Sequence, residues 1–122
     1  MYRDLRRENT ACSATSPRRW YLLDLECCAP DGKQAPPVLC TSWMKDVLVD
    51  GLFTAASDLA LLGLMLGDWA DCVASDAGHD FLAAVRVPAQ QQQQSAMQLL
   101  THPWLCCKGS GCVDVGALPG EI

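Results

Sequence analysis

The clearest feature of the hydrophobic pattern is an apolar stretch over residues 54–66. Its polar side chains are confined to the first turn; they are Thr54, Ser57 and Asp58. Thr54 is a typical helix N-cap and Gly67 a typical helix stop, so the pattern predicts a helix between them. Because this helix has no polar face, we expect other parts of the chain to cover it on every side.

Weaker patterns predict further elements on both sides: a short strand over residues 20–25 and helices over 75–87 and 95–102. Ser75 and Ser95 are suited to cap the two helices, and Pro88 and Pro103 are expected to end them. A helical turn is predicted shortly before the central helix, from Trp43 to Leu48. The sequence therefore predicts a mainly α fold.

The chain divides into three parts by composition. Residues 1–19 carry five arginines against two acidic residues and are interpreted as a basic, irregular arm. Residues 20–105 hold the predicted elements, with a loop over 29–40 where prolines and an Asp-Gly pair interrupt regular structure. Residues 106–122 are a tail that contains cysteine and glycine.

Charge excludes some classes of function. The formal net charge is −5 over 122 residues, and residues 46–85 hold seven aspartates and no lysine or arginine. A general nucleic-acid surface needs clustered positive charge, so no nucleic-acid partner is expected. A membrane span over 47–66 has a suitable length, but Asp50 and Asp58 and an internal turn oppose it. Without an apolar signal segment in the arm, a cytoplasmic protein is expected.

Eight cysteines do not form a recognisable zinc pattern. Zinc modules usually show two close pairs of ligands, whereas the only cluster here is His102, Cys106, Cys107 and Cys112. We therefore expect no bound metal and free thiols in a reducing compartment. His79 is expected to be a surface residue, and Cys72 a small packing residue.

Four motifs stand in order along residues 20–105. They are L-L-D-L-E at 22–26, T-x-x-M at 41–44, S-D-L-x-x-L-G-x-x-L at 57–66, and D-F-L at 80–82 followed by S-A-x-Q-L-L-x-H-P-W-L at 95–105. In this order they resemble the C-terminal lobe of a protein kinase. Each motif is short, and the weight of the resemblance comes from the four together.

The resemblance implies a role for several residues. Asp24 stands where the family binds magnesium, in its D-F-G segment. Asp58 resembles the aspartate that holds the backbone of the catalytic loop, and Gly63, His102 and Trp104 are structural positions. The implied activity of an intact relative is ATP-dependent phosphoryl transfer to a protein hydroxyl, with ATP and magnesium as cofactors.

Departures from the family pattern argue against activity in this chain. No G-x-G-x-x-G and no H-R-D occurs, and the residues before Trp20 are judged too few to hold the missing parts. Glu26 replaces the glycine of D-F-G, Lys45 and Asp46 stand at the A-P-E position, and Gln93 falls where an arginine is expected. We therefore expect no cofactor and no turnover for this chain, whether it is a fragment of a longer kinase or a degenerate remnant.

The alternative is a small, non-catalytic interaction protein that docks its apolar helix 54–66 on a larger partner of unknown identity. A shortage of cover for that helix would favour this function. Separately, Ser16 in S-P-R-R resembles a proline-directed phosphorylation site in the arm, although matches of this length often arise by chance.

Overall fold

The computed structural model describes residues 1–15, 19–34 and 44–106. The helices are α1 (Met44–Val47), α2 (Ala55–Gly67), α3 (Asp76–Val85), α4 (Ala96–Leu99) and α5 (Pro103–Cys106). The strands are β1 (Thr10–Cys12), β2 (Trp20–Leu22), β3 (Lys33–Gln34) and β4 (Leu52–Phe53). Short 3-10 helices lie at Arg7–Asn9, Leu25–Cys27, Ala70–Cys72 and Ala89–Gln91. The described part of the chain is mainly helical, with two small antiparallel sheets, β1–β2 and β3–β4.

Helix α2 is the predicted central helix, confirmed to within a residue at each end. Its free N-terminal amides are satisfied locally. The Thr54 backbone N–H donates to Ser57 Oγ at 2.9 Å, and the Ala55 N–H donates to Asp31 Oδ1 at 2.8 Å. The carboxylate of Asp31 also lies at the positive end of the helix dipole.

Two clusters of buried side chains lie against α2. The first contains Val47, Phe53, Ala60, Leu61 and Ala89. The second contains Leu59, Phe81, Val85 and Leu99. Each fully buried Leu, Val or Phe contributes about 1.5–3 kcal/mol, so these clusters dominate the stability of the described part. Cover is not complete, because Leu64 on α2 is 48% exposed.

Helices α2 and α3 approach most closely at Gly63. A Cβ atom placed on Gly63 would lie 2.1 Å from the carbonyl oxygen of Val85. Only glycine permits this approach, because no other residue lacks a Cβ. This contact gives a physical reason for glycine at position 63.

The C-terminal helices pack on α3 through aromatic contacts. Ser75 Oγ caps α3 by accepting the Gly78 N–H at 3.1 Å, as predicted. The ring of Phe81 lies 5.0 Å from that of Trp104 and 5.3 Å from that of His102, centroid to centroid. The helix predicted over 95–102 is present but shorter, because α4 ends at Leu99, and a separate helix begins at Pro103. Proline is well tolerated there, since a first helical residue needs no N–H partner.

The described N-terminal residues are not an irregular arm, so that prediction is wrong. Residues Arg7–Asn9 form a 3-10 helix, and β1 pairs with β2 in a hairpin with Ala11 opposite Tyr21. The predicted strand over 20–25 is correspondingly shorter, because the chain turns at Asp24 into the 3-10 helix Leu25–Cys27. Pairing with β1 supplies the partner that an isolated strand lacks.

Several other predictions can be compared with the structure only in part, because some of their residues lie outside the described part. Within the loop predicted over 29–40, β3 pairs with β4, and residues 35–40 lie outside the described part. The turn predicted over 43–48 is α1, although Trp43 itself lies outside. Ser16 and residues 107–122 of the tail also lie outside. In the described residues, no helix has the length and apolarity needed to cross a membrane.

Candidate functional site

The candidate site begins with the carboxylate of Asp58 in the first turn of α2. Its Oδ2 accepts the backbone N–H of Tyr2 at 2.8 Å, and its Oδ1 accepts the backbone N–H of Arg3 at 2.8 Å. Hydrogen bonds to a charged acceptor are among the stronger ones in proteins. Asp58 therefore fixes the N-terminal segment to the central helix across more than fifty residues of sequence.

The segment held by Asp58 contains two nearly buried polar side chains. Asp4 is 8% exposed and Asn9 is 7% exposed. The Asn9 Nδ2 group donates to Asp4 Oδ2 at 2.7 Å and to the Asp4 carbonyl oxygen at 3.1 Å. A guanidinium nitrogen of Arg6 lies 3.2 Å from the same Oδ2. The carboxylate of Asp4 is thus fixed by contacts on one of its two oxygens.

Asp24 is connected to this segment through its neighbour Leu23. The Leu23 N–H donates to the Asn9 carbonyl oxygen at 2.8 Å, and the Leu23 carbonyl oxygen accepts the Tyr2 hydroxyl. Asp24 follows in the left-handed region, with φ 55° and ψ 74°. This conformation is uncommon outside glycine, although aspartate tolerates it better than most residues. The chain therefore turns sharply at Asp24, next to the segment that carries Asp4 and Asn9.

The titration of Tyr2 reflects the same neighbourhood. Burial raises the pKa of its phenol first, and the nearby carboxylates of Asp4 and Asp24 raise it further. Both effects disfavour a phenolate in this position. Tyr2 is therefore a hydroxyl donor at neutral pH, as its bond to Leu23 requires.

Asp4 and Asn9 were missed in the sequence, where we expected no catalytic loop. In the kinase family this loop reads H-R-D-x-x-x-x-N. Residues 3–9 read R-D-L-R-R-E-N, with the same spacing from aspartate to asparagine, but Tyr2 stands in place of the histidine. A search that fixed only the aspartate, the asparagine and their spacing would have found them. The residues before Trp20 are thus numerous enough for a segment of this spacing.

The oxygen atoms at this site are hard donors of the kind that magnesium prefers. The Asn9 amide nitrogen donates to Asp4, and the amide oxygen is the atom of this side chain that could bind a cation. The carboxylate of Asp24 is a second oxygen donor, joined to Asn9 through the backbone of Leu23. Among the described residues, no group of three His, Cys, Asp or Glu side chains is placed to hold a metal ion.

The remaining predicted positions are structural in their surroundings. Gly63 lies at the crossing of α2 and α3, and Trp104 packs against the buried cluster around Phe81. His102 Nδ1 accepts the Trp104 backbone N–H at 3.2 Å. His79 is exposed, as expected, and Cys72 is half-buried. Cys107 and Cys112 of the cysteine cluster lie outside the described residues.

Comparison with known proteins gave no match: no protein-family model, curated protein or solved structure matches the chain.

Proposed function

We propose that residues 1–106 are the part of a protein kinase C-terminal lobe that runs from the catalytic loop to the H-P-W corner. The observation that carries this proposal is the pair of hydrogen bonds from the Tyr2 and Arg3 amides to Asp58. In the family that the sequence resembles, the aspartate at the position of Asp58 holds the backbone of the catalytic loop. The segment that Asp58 holds has the spacing of that loop.

In this function, Asp4 is the residue that accepts the proton of the substrate hydroxyl. Its Oδ2 is occupied by Asn9 and Arg6, so we assign Oδ1 to the substrate. Asn9 and Asp24 would hold magnesium, which neutralises the charge on the transferred phosphoryl group when it is bound. The Arg6 guanidinium lies beside Asp4 and adds positive charge at the same place.

The chain supplies only one side of such a site. None of its 122 residues forms a G-x-G-x-x-G loop, and Glu26 replaces the glycine of D-F-G. We therefore propose that the 122-residue chain does not transfer phosphate by itself. The implied activity of the family belongs to a polypeptide that also contains a nucleotide lobe.

The exposure of side chains in the β1–β2 hairpin supports the proposal that the chain supplies only one side of the site. Trp20, Tyr21 and Leu22 are 68%, 50% and 50% exposed, and Leu25 beyond them is 62% exposed. Successive strand residues point to opposite faces, so both faces of β2 carry side chains that are at least half exposed. Because two-stranded hairpins are marginal in water, another polypeptide surface is needed there. A nucleotide lobe would provide it.

Paramagnetic Mn²⁺ can test the proposed site without turnover. We expect weak binding that broadens the NMR signals of residues around Asn9 and Asp24, and loss of that broadening in Asp24→Asn. Asp71→Asn is the matched control, because Asp71 is exposed in a 3-10 helix after α2. Broadening that persists in Asp24→Asn, or that occurs elsewhere, would contradict the assignment.

Two further measurements separate the parts of the proposal. Firm binding of magnesium-ATP by the 122-residue chain would contradict its inactivity. Transcript sequencing distinguishes the fragment from the degenerate remnant: an upstream exon encoding a nucleotide lobe supports the fragment, and a complete transcript that begins at Met1 excludes it.

A non-catalytic interaction protein that docks helix 54–66 is the second candidate. The exposed side chain of Leu64 supports this function, because it is an apolar side chain of α2 that could contact a partner. Five other residues of α2 are buried within the chain and could not do so. In a pull-down with a recovered partner, Leu64→Asp should abolish binding and leave the fold intact. Retention of the partner by this variant would contradict the docking function.

A further inference from the structure

Cys27 and Cys28 are neighbours at the end of the 3-10 helix that follows Asp24. Both are free thiols; Cys28 is exposed and Cys27 is half-buried. Their backbone is fixed on both sides. The Cys27 carbonyl oxygen accepts from the Arg3 guanidinium, and the Cys28 N–H donates to the Leu25 carbonyl oxygen at 3.1 Å. The backbone that carries the two neighbouring thiols is therefore fixed at the surface.

The next residue fixes the pair further. The Ala29 N–H donates to the Met1 carbonyl oxygen at 3.1 Å, and the Met1 amino group donates to the Ala29 carbonyl oxygen at 2.9 Å. Residues 27–29 are thus attached to residues 1–3 by three hydrogen bonds. Binding at a preorganised site loses less conformational entropy than binding at a free loop.

A disulfide between these two neighbours is disfavoured by geometry. Consecutive Cα atoms are about 3.8 Å apart across a trans peptide, below the roughly 4.4–6.8 Å that disulfides usually span. The pair therefore tends to stay reduced. An atom that bonds to both sulfurs relieves this restriction, because the sulfurs need not come within bonding distance of each other.

We propose that Cys27 and Cys28 together form a binding site for trivalent arsenicals. With an aryl arsenoxide, two S–As bonds form and the As–O bonds break. Both thiol protons leave with the oxygen as one water molecule, so no oxidant or reductant is required. Each thiol supplies one bond, and the second bond forms intramolecularly at a high effective concentration.

The dithiol borders the candidate site. Cys27 follows Asp24 by three residues, and its carbonyl oxygen holds Arg3, next to Asp4. The backbone of this part of the chain is also joined to Met1, the neighbour of Tyr2, through Ala29. An arsenical on the pair would sit beside the segment that carries Asp4 and Asn9. The proposal does not depend on kinase function.

Titration of the full chain with phenylarsine oxide tests the site. The sequence holds a second adjacent pair, Cys106–Cys107, so the reference protein is the Cys106→Ser variant. We expect it to bind one equivalent tightly by intact-mass measurement, and 2,3-dimercaptopropanol to reverse the binding. Adding Cys28→Ser should weaken binding by at least about tenfold, because only one S–As bond remains.

The controls are Cys12→Ser and Cys72→Ser in the same reference protein, each expected to bind as the reference does. Cys28 is exposed, so its replacement by serine should preserve the thermal unfolding transition. Unchanged affinity after Cys28→Ser, or an equal loss after Cys12→Ser or Cys72→Ser, would overturn the proposal.

Discussion

Single residues decide how the N-terminal segment is attached. Asp58 accepts two backbone amides from a segment more than fifty residues away in sequence, and Leu23 uses both of its backbone groups to connect Asn9 and Tyr2. These polar contacts act together with the side chains of Met1 and Leu5, which pack against the first buried cluster. The attachment is therefore sensitive to substitutions that barely change side-chain volume.

Asp58→Asn tests the first of these contacts. The variant keeps one accepting oxygen but turns an amide NH₂ toward a backbone N–H, so one charge-assisted hydrogen bond is lost. We expect the free energy of unfolding to fall by about 1.5–3 kcal/mol in urea titrations. Hydrogen exchange at the Tyr2 and Arg3 amides should accelerate. Asp71→Asn should change stability by less than about 0.5 kcal/mol, and an equal loss in both variants would refute this role for Asp58.

Tyr2→Phe removes the hydroxyl that donates to Leu23. At neutral pH we expect a loss of about 0.5–1 kcal/mol, the value of an ordinary hydrogen bond. The raised pKa of Tyr2 in the folded chain means that its contribution is complete below about pH 10, where an unfolded tyrosine titrates. It is lost as the pH rises through the higher folded value.

The stability difference between the wild type and Tyr2→Phe should therefore narrow above about pH 10. Urea unfolding of both proteins at neutral and alkaline pH measures this difference directly. A stability difference between the two proteins that increases with pH would contradict the raised pKa of Tyr2 in the folded chain.

Among the elements, the packing of α2 on α3 depends on one missing side chain. A Cβ atom on Gly63 would have to displace the backbone of Val85, which cannot move without shifting α3. At Gly67 the nearest atom is 3.6 Å away and belongs to the flexible side chain of Arg86. The two glycines lie one turn apart in the same helix. A Cβ atom is sterically excluded at position 63 and is tolerated at position 67.

Gly63→Ala should destabilise the chain by about 1–3 kcal/mol, the usual range for overpacking. Gly67→Ala is the matched control and should be neutral or stabilising by up to about 1 kcal/mol, because alanine favours the helix. Thermal and urea unfolding of the two variants gives the comparison. Equal effects would show that close approach does not determine the residue at 63.

The elements also show how far the sequence could be interpreted. Helices α2 and α3 were predictable because their caps and apolar periodicity agree with their final surroundings. Helix α5 was not predicted, because in the sequence Pro103 indicates only the end of the preceding helix. Proline is also well tolerated as the first residue of a new helix. Asp4 and Asn9 were missed because no hydrophobic periodicity or cap marks them, and their contact is visible only in the folded segment. The attachment of this segment to Asp58 joins residues more than fifty positions apart, which local sequence patterns do not reveal.

At the scale of the whole molecule, the uncovered hairpin is the main liability. Trp20, Leu22 and Leu25 are exposed apolar side chains on β2 and in the 3-10 helix that follows it. Surfaces of this kind mark an interaction site, or promote aggregation when the partner is missing. Stability and solubility should therefore respond differently to substitution there.

Leu22→Lys should leave the free energy of unfolding within about 0.5 kcal/mol of the wild type, because the side chain is half exposed. The same variant should lower the binding of an apolar dye and the tendency to aggregate, measured by fluorescence and light scattering. Phe53→Lys, at a fully buried position, should instead prevent folding. A large loss of stability in Leu22→Lys would place that side chain in the core.

The mutual hydrogen bonds of Met1 and Ala29 bear on how the protein is produced. An affinity tag fused ahead of Met1 replaces its ammonium group with an amide and emerges beside Arg3 and Cys27. Binding measured on such a fusion would include whatever the added peptide does at that edge. Protein released from its tag, or tagged after Ile122, avoids this interference.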